Sequence, residues 1–187
     1  MITKEIALRN KLENIHCAYF CTDSSCPNCQ GFYEEISRRW GKEKLKLELT
    51  EEKKKARVGE IWSLAINGNY PIYILLLERL NNHFRAVRAS DFIDFKSSYD
   101  LVLDNCWLLE CWNTFPVRRE RLQTKITEVS LEKLEEVKRL VKECEITEKD
   151  NIPDIITRFR QIELNYQNQQ FLEEDEEKFM EELECSG

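Results

Sequence analysis

The chain is poor in the residues that break secondary structure. It has five glycines and four prolines in 187 residues, which excludes collagen-like and low-complexity chains. Histidine and methionine are scarce, with two of each. No apolar run approaches the ~20 residues that a spanning helix needs. The longest, Ile72-Tyr73-Ile74-Leu75-Leu76-Leu77, has the length of a strand. The first residues, Met1-Ile2-Thr3-Lys4-Glu5, lack the apolar core of a signal peptide. A cytoplasmic protein without membrane contact is therefore expected, in which cysteines stay reduced or bind metal.

Charge and cysteine are abundant. Charged residues make up 34% of the chain and its net charge is −7. The excess is local. Phe171 to Gly187 holds eight acidic residues and one lysine, so residues 1–170 sum to zero. That balance argues against a broad nucleic-acid surface and leaves room only for a local basic patch.

The pattern divides the chain into three parts. Residues 1–56 read as an N-terminal helical, cysteine-rich module. A helix is expected over Lys4–Ile15, then a cysteine-rich loop, then a helix over Phe32–Trp40 with Phe32, Ile36 and Trp40 on one face. The Leu45, Leu47, Leu49 alternation suggests a short strand. Residues 57–145 carry strand signals at Glu60–Ile66, Ile72–Leu80, Phe84–Ala89, Leu101–Leu103, Cys106–Trp112 and Thr114–Val117. The turn residues Asn81-Asn82 make the second and third a hairpin. Ser130 then caps a helix whose Leu131, Leu134, Val137, Leu140 and Val141 share a face. Several short strands and one helix suggest an α+β unit, a small barrel with a packed helix. Residues 146–187 read as an amphipathic, acidic helical tail. It opens at Pro153 near the first helical position and carries Ile155, Ile156, Phe159, Ile162 and Tyr166, then Leu172, Phe179, Met180 and Leu183.

Four cysteines fall within thirteen residues, Cys17, Cys21, Cys26 and Cys29, with His16 beside the first. Cys26-Pro27-Asn28-Cys29 is a C-x2-C turn, which points two sulfurs at one centre. Zinc takes four thiolate or imidazole ligands. The expected site is structural zinc on Cys17, Cys21, Cys26 and Cys29, with His16 as an alternative ligand. Four protein ligands leave no open position for hydrolysis. A set of plain thiols and a redox C-x2-C are the competing readings; the latter lacks the βαβ pattern that accompanies such motifs. Cys106, Cys111 and Cys144 read as core thiols, and Cys185 as an exposed one.

The central part resembles a family. Arg57-Val58-Gly59-Glu60-Ile61-Trp62 looks like the opening strand of the MazF/PemK toxins, and Pro71-Ile72-Tyr73-Ile74-Leu75-Leu76 like their second strand. Phe84–Ser90 fits the third. Trp112–Leu122 looks like their late basic segment, and Glu128–Cys144 like their closing helix. The resemblance implies an SH3-like barrel over 57–145 and a metal-independent endoribonuclease. The family places an arginine just before the second-strand proline, where this chain has Asn69 and Tyr70. Ser90 stands where the family has a catalytic Ser or Thr. Arg85 and Arg88 could supply a phosphate contact instead, or lie on a solvated strand face. His83 reads as an exposed turn residue. Trp112, Phe115, Arg118, Arg119 and Arg121 form a candidate patch for single-stranded RNA.

Without that arginine, the expectation is a non-catalytic binding protein. The layout is similar to the MazF-like anti-sigma subunits of CRISPR-associated Lon protease systems. That resemblance implies transcription regulation in antiviral defence, with a sigma factor as partner and a Lon-type protease that cuts the chain to release it. A homodimer is also implied. Phe32, Ile36, Trp40, Phe179, Met180 and Leu183 are the candidate partner anchors.

Overall fold

The computed structural model describes residues 3–23, 25–31, 55–66, 68, 70–147, 152–170 and 180–181. The helix expected at Phe32–Trp40, the strand at Leu45–Leu49 and most of the acidic tail lie outside the described residues.

Helix α1 spans Lys4–Phe20, with Thr3 as its N-cap accepting the Ile6 N–H at 3.4 Å. It runs five residues beyond its expected end, so Cys17 sits on its last turn rather than in a loop. Six strands follow: β1 Glu60–Leu64, β2 Tyr73–Leu80, β3 His83–Ser90, β4 Asp100–Leu103, β5 Trp107–Arg118 and β6 Leu122–Glu128. Helix α2 spans Leu131–Ile146 and α3 spans Asp154–Gln169. Ser130 caps α2 as expected, its hydroxyl accepting the Lys133 N–H at 3.3 Å.

The strands form one antiparallel sheet in the order β4-β5-β3-β2-β1-β6. The small barrel expected from the strand pattern is not closed among the described residues: the sheet is open, with β4 and β6 as its two edges, which do not pair with each other. The architecture is α+β, with the cysteine-rich segment at the end of α1.

Two strand assignments differ from expectation. Cys106–Trp112 and Thr114–Val117 belong to a single twelve-residue strand, β5. The break signal at Asn113 marks a bulge, because the β3 register jumps from Val87↔Thr114 to Arg88↔Glu110. Strand β6 was not expected. It carries Lys125 and Glu128 on a sheet edge, where charge is favoured and apolar alternation is weak.

Period-two alternation sends the apolar run Ile72–Leu77, which enters β2 at Tyr73, to both sides of the sheet. Ile72, Ile74 and Leu76 join a cluster with Leu12, Ile15, Ala18 and Tyr19 of α1 and Ile156, Phe159 and Tyr166 of α3. Leu75 and Leu77 join a second cluster with Leu134, Val137 and Val141 of α2. The sheet is thus covered by α1 and α3 on one face and by α2 on the other. Residues from all three sequence regions meet in its buried clusters. No helix among the described residues is long and apolar enough to cross a membrane.

Candidate metal centre and adjoining charge cluster

Cys17 and Cys21 lie one helical turn apart, at i and i+4, on the same side of α1. The chain then reverses. Asp23 accepts the Ser25 N–H at 2.9 Å and the Ser25 hydroxyl at 2.7 Å, and the Cys26 N–H bonds to the Asp23 carbonyl at 3.2 Å. A helical turn over 27–31 starts here, the Gln30 N–H reaching the Cys26 carbonyl at 3.1 Å. The result places the C-x2-C turn against the end of α1.

The four sulfurs all lie within 4.8 Å of one another. Cys17 Sγ is 3.7 Å from Cys26 Sγ and 3.4 Å from Cys29 Sγ. No disulfide joins any of the described cysteines. A disulfide would bring sulfurs to about 2.05 Å, whereas four sulfurs about 2.3 Å from a tetrahedral ion stand roughly 3.8 Å apart. The spacing fits a shared cation. The four cysteines could hold a metal ion. His16 is not in the group; its ring lies 4.9 Å from that of Phe20.

The electrostatics of the four thiols differ. Backbone N–H groups of Cys29 and Asn28 bond to the Cys26 sulfur and outweigh burial, pulling its pKa down to about 7. Burial, then the neighbouring cysteines, push Cys29 far up. For Cys17 the bond with Cys29 lowers the pKa, but burial and the other two cysteines raise it further. Gathered anionic sulfur is therefore costly until a cation is present.

Between Cys17 and Cys21 stands Tyr19, which points the other way, into the core. Its hydroxyl donates to Glu163 of α3 and accepts from Arg88 Nη2 of β3 at 3.3 Å. Arg88 Nε lies 3.5 Å from Glu163 Oε2, and the two side chains are 1% and 0% exposed. Asn113 donates to Glu110 at 3.2 Å and exchanges amide bonds with Gln167 of α3. The Tyr19 and Tyr166 rings stack at 4.2 Å. The Tyr166 hydroxyl donates to the Tyr70 carbonyl at 2.6 Å and accepts the Tyr70 N–H at 2.8 Å.

One guanidinium here faces two carboxyls. Burial alone would lower the Arg88 pKa, but Glu163, Tyr19 and Glu110 hold it above its ordinary value. Burial, then the neighbouring Glu163, push Glu110 well above the carboxylate range. Tyr19 is raised by burial and by Glu163.

The residues expected to carry catalysis are not brought together. Arg88 is buried and ion-paired, not on a solvated face. Arg85 lies on the opposite face of β3 and pairs with Glu145 of α2. Ser90 is buried, and its hydroxyl accepts the Phe92 N–H at 3.1 Å. His83 is 1% exposed rather than an exposed turn residue, because β3 begins at His83 and pairs it with both Leu80 and Arg118. In the candidate RNA patch, the Arg160 guanidinium lies 4.6 Å over the Trp112 ring and Phe115 is buried. Arg118 pairs with Glu120, and Arg121 donates to the Gln170 carbonyl at 3.3 Å. Of the candidate partner anchors, Met180 is exposed; Phe32, Ile36, Trp40, Phe179 and Leu183 lie outside the described residues. Cys111 is buried, and Cys106 and Cys144 are half-buried.

Sequence reading missed Tyr19, Glu110 and Glu163. Their signal is an ionisable or hydroxyl group inside an apolar pattern: Glu110 within Trp107–Cys111, and Glu163 one turn beyond Phe159. No protein-family model matches the chain, and no curated protein matches it.

Proposed function

We propose that the chain is a non-catalytic regulatory binding protein whose open six-stranded sheet is a MazF-like scaffold, with structural zinc at Cys17, Cys21, Cys26 and Cys29. Its layout resembles CalpT, the MazF-like anti-sigma subunit of the CRISPR-associated Lon protease system. By that resemblance it sequesters a sigma factor until a Lon-type protease cuts it. The observation that carries the non-catalytic reading is the burial of Arg88. Phosphodiester cleavage needs a reachable cation for the developing charge and a group that moves the 2′-OH proton. Arg88 is committed to Glu163, Ser90 to the Phe92 N–H, and Arg85 faces the other side of the sheet. Closed coordination by four cysteines supports a structural role for the zinc.

The test has two arms. Full-length protein is incubated with single-stranded RNA in EDTA, and it is co-expressed with a sigma factor and passed over a sizing column. Intact RNA and a sigma factor that co-elutes are the expected results. RNA cleavage that is lost in Arg88→Ala would replace this reading with that of a MazF-type endoribonuclease.

A further inference from the structure

The last turn of α1 is built to be held from two sides. Cys17 and Cys21 share one side. Tyr19, two residues from each, is about 200° around the helix from either and enters the buried charge cluster. On its inner side this turn is packed into the core, with Ala18 and Tyr19 buried and Tyr19 also meeting Tyr70 and Phe92; on its outer side stand the two cysteines. The helix ends at Cys21 in extended backbone, with no basic residue in the last turn. The carbonyls of the last turn form the negative end of the helix dipole, so sulfur anions placed there are unfavourable without a cation.

On the core side the same turn is continuous with α3. The Tyr19 hydroxyl donates to Glu163, its ring stacks on Tyr166 at 4.2 Å, and Phe20 meets Tyr166 edge-on at 5.9 Å. Tyr166 in turn is fixed to the Tyr70 backbone by both its hydroxyl contacts. Any loosening of the α1 end withdraws a hydrogen-bond partner from a glutamate and an arginine that have almost no access to water. A buried ion pair deprived of partners is strongly destabilising.

We infer that a thiophilic divalent metal at the four cysteines and the Tyr19–Glu163–Arg88 cluster are energetically coupled through the last turn of α1, so that metal occupancy governs how firmly α1 and α3 sit on the sheet. The inference rests on the reading that the four cysteines bind zinc. Coupling between two sites is reciprocal. If the metal seats Tyr19, then the buried contacts of Tyr19 must strengthen metal binding, although neither Tyr19 nor Glu163 touches the metal.

The experiment uses the full chain. Zinc affinity is measured by competition with a fluorescent chelator for the wild type, Tyr19→Phe and Glu163→Gln. Amide hydrogen exchange is then followed with zinc bound and after chelation. The expected result is one zinc per chain, held about fivefold or more weakly in both variants. Chelation of the wild type should also speed exchange in α3 residues 159–167 as well as in α1. Wild-type zinc binding with variant affinities within twofold, and α3 exchange indifferent to the metal, would overturn the coupling while leaving the zinc site intact. A wild-type chain that binds no zinc would overturn both. The exchange arm needs no substitution, so a variant that folds poorly does not decide the outcome.

Discussion

Arg88 follows Phe84 and Ala86 along β3 to the face covered by α1 and α3, and among the described residues its guanidinium is the one that pairs with Glu163 in the cluster around Tyr19 and Glu110. A buried pair of this kind is weak evidence for net stability, but breaking it by removing one partner costs about 3–5 kcal/mol. Arg88→Ala should therefore lose stability on that scale in urea denaturation. The double variant Arg88→Ala/Glu163→Gln should lose less than the sum of the two single changes, because no charge is then left alone. Glu110 makes a pH prediction. Its folded pKa is raised above the ordinary 4.5 by burial and by Glu163. The folded state then binds a proton more tightly than the unfolded one. The stability this gives is fully present below pH 4.5 and is lost as pH rises toward the folded pKa. Glu110→Gln stays neutral throughout, so its stability relative to wild type should improve as pH rises above 4.5 and level off once the folded pKa is passed. A parallel pH profile for the two proteins would contradict the assignment.

At the scale of elements, the placement of α3 depends on a close approach at Gly68. A Cβ there would run into the Tyr166 hydroxyl and lie 2.8 Å from Gln170 Oε1. Gln170 can rotate away. Tyr166 cannot, because its hydroxyl is held between the N–H and C=O of Tyr70. Gly68→Ala should cost about 1–3 kcal/mol, the range for overpacking. Gly68→Ala in a Tyr166→Phe background should recover part of that loss, read by thermal melting. The elements themselves were legible in the sequence to different degrees. The Asn81-Asn82 hairpin, the Ser130 cap and the two-sided run Ile72–Leu77 carry strong local signals, and each lies where the pattern placed it. The four cysteines were legible as a group from their density and the C-x2-C turn, but not the i, i+4 placement of Cys17 and Cys21, because α1 runs on to Phe20 past its expected end at Ile15. The continuity of β5 was not, because a bulge at Asn113 mimics a turn. Edge strand β6 has too little apolar alternation to announce itself. The charge cluster was invisible for a different reason. Tyr19, Arg88, Glu110 and Glu163 come from four elements, and only tertiary packing makes an arginine on β3 and a glutamate on α3 into a pair.

At the scale of the whole molecule, one face of the sheet is closed by the N-terminal and C-terminal described helices together, and neither closes it alone. Ile156, Phe159 and Tyr166 of α3 are buried against it. Fully burying a large apolar side chain contributes about 1.5–3 kcal/mol, so the three supply roughly 5–9 kcal/mol. That is comparable with the entire stability of a domain, about 5–15 kcal/mol. Removing α3 also leaves Arg88 without Glu163 and Tyr70 without Tyr166. A chain ending at Asp150 should therefore lose cooperative thermal unfolding, bind an apolar dye such as ANS, and leave single-stranded RNA intact in EDTA. The alternative is physically distinct. If the shortened chain melts cooperatively and cuts RNA, then α3 is a detachable cover, Arg88 becomes a reachable cation once Glu163 is gone, and the non-catalytic reading fails. The energetic comparison favours collapse. The helix contributes too much of the core, and its glutamate neutralises too deeply buried an arginine, for the remaining sheet to keep its shape without it.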